Sequence, residues 1–213
     1  NDIFRIASMT KPIVSLALMI LYEEGKFKLD DPVYKYIPEF KNLTVKKRKK
    51  NKPLKNDIKI IDLLRHSAGF SFKGPEDYRK VINMTLEEYT QDAIKTPLMY
   101  EPGTQWRYSS STDIVGYLVE VLSGLRLDRF LKARLFDPLG MEDTFFELPK
   151  FSNHRLTTLY VKENEGDLVS FDNKSNSPFT ENVILFNGSG GLLSTTSDYL
   201  KFCQMLLNGG SFN

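Results

Sequence analysis

Apolar residues fall at helical intervals in several separate runs along this chain, and the first of them is the longest. Ile13, Leu16, Ala17, Ile20 and Leu21 share one helical face and Gly25 closes the run, so the spacing predicts a helix that opens at Ser8-Met9-Thr10-Lys11. Pro12 falls at the limit of its first turn, where the missing N–H and the ring are still tolerated. Residues 33–37, between Pro32 and Pro38, predict a short helix. Others are predicted over 58–64, ending at Ser67-Ala68-Gly69, and over 86–96, behind Thr85 with Glu87 and Glu88 in the first turn. Two more cover 112–123, ended by Gly124, and 127–135; a last one covers 197–207, capped by Ser197 or Thr196. Residues 156–161 and 168–171 flank a polar stretch containing Gly166 and predict a β-hairpin.

With 213 residues, 41% of them hydrophobic and 12% aromatic, the chain can bury a sizeable core and is not a disordered segment. A net charge of +2 gives no reason to expect nucleic acid or an anionic membrane as partner. The lysine-rich run over 46–50, with Lys52 and Lys55, is the only strong charge block, and it predicts a solvated loop near a hairpin. The single cysteine, Cys203, excludes an internal disulfide framework and fits a small buried hydrophobe about as well as any other role. The longest apolar stretch, residues 13–22, has about half the length needed to span a bilayer and is interrupted by Ser15, so no integral membrane segment is predicted.

Candidate chemistry changes this picture in three places. Ser8 and Lys11 lie three residues apart at a helix start, on one face, so an amine can take the serine's proton while helical N–H groups steady the charge. A lysine at its ordinary pKa of about 10.4 is almost wholly protonated at neutral pH, so work as a base requires burial or a neighbouring cation. Glu101 to Ser110 is a Pro-Gly turn followed by an aromatic-rich stretch, and it places Tyr108 and Ser110 just ahead of the helix over 112–123. A tyrosine hydroxyl near an amine can pass a proton to a leaving group; Tyr108 also reads as a buried aromatic with a bonded hydroxyl. Gly188-Ser189-Gly190-Gly191 either brings backbone close to something or turns tightly.

Other chemistries fit less well. There is no G-x-S-x-G elbow, and of two histidines His66 is expected to be a hydrogen-bonded structural residue and His154 to lie on the surface. No H-E-x-x-H, no clustered Cys/His set and no phosphate-binding G-x-x-x-x-G-K-[ST] occurs, so no metal and no cofactor is implied.

In order along the chain, these pieces resemble the β-lactamase-related serine hydrolases, a superfamily of class C β-lactamases, D-alanyl-D-alanine carboxypeptidases, D-aminopeptidases and β-lactamase-like carboxylesterases. Phe4-Arg5-Ile6-Ala7-Ser8-Met9-Thr10-Lys11 resembles the nucleophile motif, and Leu29-Asp30-Asp31-Pro32 with Tyr36-Ile37-Pro38 the segment after its helix. Leu63-Leu64-Arg65-His66-Ser67-Ala68-Gly69 is similar to L-L-x-H-T-S-G, and Asp137-Pro138-Leu139-Gly140-Met141-Glu142-Asp143-Thr144 and Gly190-Gly191-Leu192 also match. The resemblance implies an α+β, β-lactamase/transpeptidase-like fold: a helical region with part of an antiparallel sheet. It makes Ser8 the acylated nucleophile, Lys11 its proton acceptor or electrostatic partner, and Tyr108 the general base and acid. Ser110, Gly190 and Gly191 would contact substrate.

Two departures matter. Ser110 stands where the Y-x-N motif often has Asn, which favours an ester over a lactam or peptide. No K-T-G or H-x-G occurs either, so the strand supplying a second oxyanion donor is expected outside these residues, as are strands ahead of Ser8. The resemblance thus implies one domain over 1–213, incomplete at both ends, from a serine hydrolase of small-molecule esters or amides. A carboxylesterase is expected first; a D,D-carboxypeptidase or D-aminopeptidase, a β-lactamase, and a non-catalytic member keeping the scaffold are the alternatives. As a fragment the chain is expected to be inactive. Location would be periplasmic or extracellular if a signal precedes it and cytoplasmic otherwise, and oligomeric state is open. Trp106, Arg107, Tyr78 and Phe72 are the candidates for the pocket lining.

Overall fold

A computed structural model describes residues 1–47, 50–72, 81–163, 166–180 and 182–211. In chain order its strands are β1 (Phe4–Arg5), β2 (Thr44–Lys47), β3 (Lys50–Pro53), β4 (Leu159–Glu163), β5 (Asp167–Asp172) and β6 (Leu193–Ser194). The α-helices are α1 (Thr10–Glu23), α2 (Ile60–Leu64), α3 (Leu86–Ile94), α4 (Ser111–Ser123), α5 (Leu127–Leu131), α6 (Asp137–Leu139) and α7 (Thr196–Leu207).

The centre of the fold is α1 packed against α4. Ile13, Val14, Ala17, Leu18 and Leu21 from α1 and Ile114, Val115, Leu118 and Val119 from α4 are buried in one cluster. Each fully buried Val, Leu or Ile contributes about 1.5–3 kcal/mol through removal of apolar surface from water. Pro12 stands third in α1, where its missing N–H has no carbonyl to bond, as its position in the sequence predicts.

The sheet framing the start of α1 is small. β1 pairs antiparallel with β6, Phe4 opposite Ser194 and Arg5 opposite Leu193, and the Ile6 N–H donates to the Leu192 carbonyl at 3.1 Å. Arg5 ties β1 to β5 by a bidentate pair with Asp172, both contacts 2.5 Å. The segment 137–144 is tied to α7: Asp198 accepts from the Asp143 N–H at 2.8 Å and from Thr144 Oγ1 at 3.0 Å, and Thr144 Oγ1 bonds Ser194 Oγ at 2.8 Å. Resemblance of this segment to a family motif therefore has a physical basis in anchoring β6 and α7.

Several expectations are corrected. The last helix is capped by Thr195, whose Oγ1 accepts from the Asp198 N–H at 3.2 Å, and not by Ser197 or Thr196. The predicted helix over 127–135 is α-helical only to Leu131; a π-turn over Lys132–Phe136 leads into α6, because Pro138 has no N–H for the regular ladder. The lysine-rich run does not flank a hairpin but forms one, β2 against β3, with Lys46 opposite Asn51; Arg48 and Lys49 lie outside the described residues. Cys203 is exposed, because α7 turns Phe202 and Met205 inward instead. The β4–β5 hairpin forms as predicted, starting at Leu159.

Candidate active site

Ser8 is presented by a tight turn and not by the α-helix itself. Ala7 has φ +44°, in the left-handed region that costs a non-glycine residue energy, and Ala7–Met9 form a single 3-10 turn between β1 and α1. The turn leaves Ser8 exposed while Lys11, in the first turn of α1, is half-buried. The Ser8 and Tyr108 hydroxyls share a hydrogen bond of 2.7 Å. Lys11 Nζ donates to Ser8 Oγ at 3.2 Å and to the Ser189 carbonyl at 2.7 Å, and lies 4.8 Å from the centre of the Tyr108 ring. The Ser8–Lys11 pair and Tyr108, which the sequence singled out separately, thus meet at one point.

Tyr108 is held by the loop after α2. The Met99 N–H donates to Gly69 O at 2.8 Å, Gly103 N–H to Ser67 O at 2.9 Å and Arg107 N–H to His66 O at 3.1 Å, so the 99–107 strand of chain is laid along residues 66–69. The Tyr108 ring packs between His66 and Phe72, with centroids 5.0 and 5.5 Å away. Burial pushes the Tyr108 phenol up, but hydrogen bonds with Lys11 and Ser8 that favour the phenolate, together with the charge of Lys11, more than offset it, and its pKa is lowered overall. His66 is held below its usual pKa by burial and then by the Lys11 charge, and its Nδ1 accepts from the Ser109 N–H at 3.4 Å. His66 is hydrogen-bonded and His154 is exposed, both as expected.

The glycine-rich segment borders the site through the Ser189 carbonyl that accepts from Lys11. A Cβ on Gly188 would stand 2.5 Å from the Thr112 carbonyl oxygen, and one on Gly191 2.8 Å from the Asn187 carbonyl oxygen. These two glycines are needed for close approach and a tight turn. Gly190 faces the backbone of Ala7, where a Cβ would fit at 3.6 Å. Gly188→Ala is therefore expected to destabilise the fold by about 1–3 kcal/mol, read as a lower denaturation midpoint, whereas Gly190→Ala leaves the midpoint nearly unchanged.

Ser110 is buried at the entry to α4, and its hydroxyl interacts with Tyr89 on α3. Trp106 is 69% exposed and Arg107 is exposed beyond it, while Tyr78 lies outside the described residues. Phe72 does reach the site, through its packing on Tyr108. The residue that sequence reasoning missed is Asp113, buried in the first turn of α4. Its Oδ1 accepts the Ser189 N–H at 2.9 Å and its Oδ2 the Ser189 hydroxyl at 2.7 Å. Burial raises its pKa to about 6 against those bonds. A carboxylate immediately ahead of the apolar Ile114-Val115 pair in the first turn of α4 was the available signal. Among the described residues no group of three or more His, Cys, Asp or Glu is placed to hold a metal ion, and no helix is long and apolar enough to cross a membrane.

The family model described as β-lactamase matches residues 1–213. The chain belongs to the β-lactamase family. An uncharacterised protein of Mycobacterium tuberculosis is 34% identical to this β-lactamase-family chain over 223 residues, covering 99% of the chain and 55% of that protein. A Salmonella typhimurium protein provisionally named D-alanyl-D-alanine carboxypeptidase is 30% identical over 230 residues, covering 100% of the chain and 52% of that protein. The β-lactamase-family chain thus spans about half the length of the curated relatives it matches. Among solved structures, the hydrolase EstCE1, described as having promiscuous acyltransferase activity, superposes with a TM-score of 0.78 at 24% identity, over 98% of this chain and 59% of its own. The fold is β-lactamase/transpeptidase-like, as the motifs implied, and the family is one of serine hydrolases.

Proposed function

We propose that this β-lactamase-family chain carries the nucleophile, the cation and the proton-transfer group of a serine carboxylesterase. The observation that carries the proposal is the convergence of Tyr108 and Lys11 on Ser8 Oγ, by hydrogen bonds of 2.7 and 3.2 Å. Tyr108, as phenolate, takes the Ser8 proton while Oγ attacks the ester carbonyl carbon. The tetrahedral oxyanion collapses, the C–O bond to the leaving group breaks, and Tyr108 returns the proton to the departing alkoxide. Water then repeats the sequence on the acyl-Ser8 ester, which releases the acid and restores Ser8. The backbone N–H of Ser8, in the turn leading into α1, is one donor for the oxyanion; such a donor is worth about 10²–10³ in rate. Positioned proton transfer adds about 10²–10⁴.

Preference for an ester rests on Ser110. Its side chain is short, buried and engaged with Tyr89, which leaves it poorly suited to the role of an amide-binding Asn. A D-alanyl-D-alanine carboxypeptidase is the second reading, favoured by the name of the Salmonella relative. The test is mass spectrometry of the full-length protein after brief exposure to p-nitrophenyl butyrate, a fluorophosphonate and a penicillin. An adduct on Ser8 with turnover of the ester, and a stable or absent penicilloyl species, is expected. Cleavage of a D-alanyl-D-alanine peptide with no ester turnover would replace the esterase with the carboxypeptidase. Absence of any adduct would mean a scaffold without the chemistry.

A further inference from the structure

Asp113 is a buried ionisable group for which the proton transfers above have no use. Its carboxylate grips Ser189 at both backbone N–H and hydroxyl, at 2.9 and 2.7 Å, and the carbonyl of that same Ser189 accepts from Lys11 Nζ at 2.7 Å. The groups facing it are Lys11 from α1, Tyr89 from α3, whose hydroxyl donates to it, and Tyr108 just ahead of α4, whose ionisation it opposes weakly. A bond to Ser189 alone could be made by a neutral amide. Burying a carboxylate for that purpose is unfavourable, because the charged form loses its hydration.

Resting on the esterase reading, we propose that Asp113 is a positioning residue for Lys11. Through Ser189 it fixes the carbonyl that holds the Lys11 ammonium beside Ser8 and Tyr108, and its negative charge assigns Lys11 the role of the site's cation. The Ser8 proton therefore passes to Tyr108 and not to the lysine. Catalysis then needs Asp113 ionised. Burial places its pKa at about 6, so activity should fall with acid as the carboxylate takes up a proton.

The sign for stability is opposite to that for activity. A carboxyl whose folded pKa stands above its unfolded value near 3.8 favours the native state while it keeps its proton, and that advantage is lost as pH rises through about 6. Asp113→Asn keeps an acceptor for the Ser189 N–H and removes the charge. The full-length variant is thus expected to be at least as stable as the wild type at pH 7.5, yet slower.

The experiment compares wild type, Asp113→Asn and Ser189→Ala in the full-length protein, by kcat and KM for p-nitrophenyl butyrate and by the rate of fluorophosphonate labelling of Ser8, between pH 5 and 9. Asp113→Asn should lower kcat and the labelling rate by about ten- to a hundredfold, leave KM within about twofold, and abolish the limb near pH 6 while the higher limb set by Tyr108 remains. Ser189→Ala removes a bond that holds the Asp113 pKa down, so its acid limb should move to higher pH; this arm stands even if Asp113→Asn does not fold. A limb near pH 6 that persists in Asp113→Asn, below the one that Tyr108 sets, belongs to another group such as His66 and overturns the proposal. So does activity lost only in proportion to lost folded protein. If wild type itself neither labels nor turns over the ester, the esterase reading has failed. Labelled wild type with an equally reactive Asp113→Asn means that the positioning role alone has failed.

Discussion

Ser8→Ala in the full-length protein should abolish covalent labelling by a fluorophosphonate and reduce ester turnover by on the order of 10⁴-fold or more, the scale on which removal of a serine nucleophile acts in other hydrolases. The fold should hardly notice. Ser8 is exposed, and the hydroxyl lost is bonded only to groups at the mouth of the site, while Lys11 keeps the Ser189 carbonyl. A surface change of this kind stays within about 0.5 kcal/mol. The pairing of near-total chemical loss with an unchanged denaturation midpoint is the signature of a nucleophile. Labelling that persists at full rate in the variant would place the reactive group elsewhere and end the assignment of Ser8.

Tyr108→Phe is expected to lower kcat by about 10²–10⁴ with little change in KM, the range for loss of positioned acid–base help. The phenyl ring keeps its packing on His66 and Phe72, so the variant should fold. The pH profile gives a sharper test. Lys11 and Ser8 hold the Tyr108 pKa below its usual value of 10, so the phenolate becomes available at lower pH than in a free tyrosine. A base-dependent rate should rise with pH and level off below 10, and Tyr108→Phe should lose that limb. Lys11→Met removes the charge and hydrogen bond that lower the pKa, so its residual activity should rise only at higher pH. A limb that survives in Tyr108→Phe would assign the base to another group.

Much of this architecture was legible in local sequence. The apolar face of α1, the capping Thr85 of α3 and the glycines closing α1 and α4 follow from period, caps and left-handed φ, all set within a few residues. The S-x-x-K spacing likewise placed Ser8 and Lys11 on one side of a helix start. Less legible were features that depend on chemistry several residues away. The π-turn ahead of Pro138 and the cap at Thr195 are matters of one residue's N–H or hydroxyl finding a partner.

Periodicity by itself specified the helical framework and residue spacing drew notice to Ser8, Lys11 and Tyr108, while the resemblance carried by the ordered motifs implied the fold class. Tertiary structure alone decided that Tyr108, a hundred positions from Ser8, comes within 2.7 Å of it, and that Asp113 backs Lys11 through Ser189. The reason is physical. Helix signals act over one turn, whereas these contacts are set by how α1, α4 and the 188–191 segment pack. That packing depends on van der Waals fit at Gly188 and on a buried carboxylate finding its donors, neither of which any short stretch of sequence encodes.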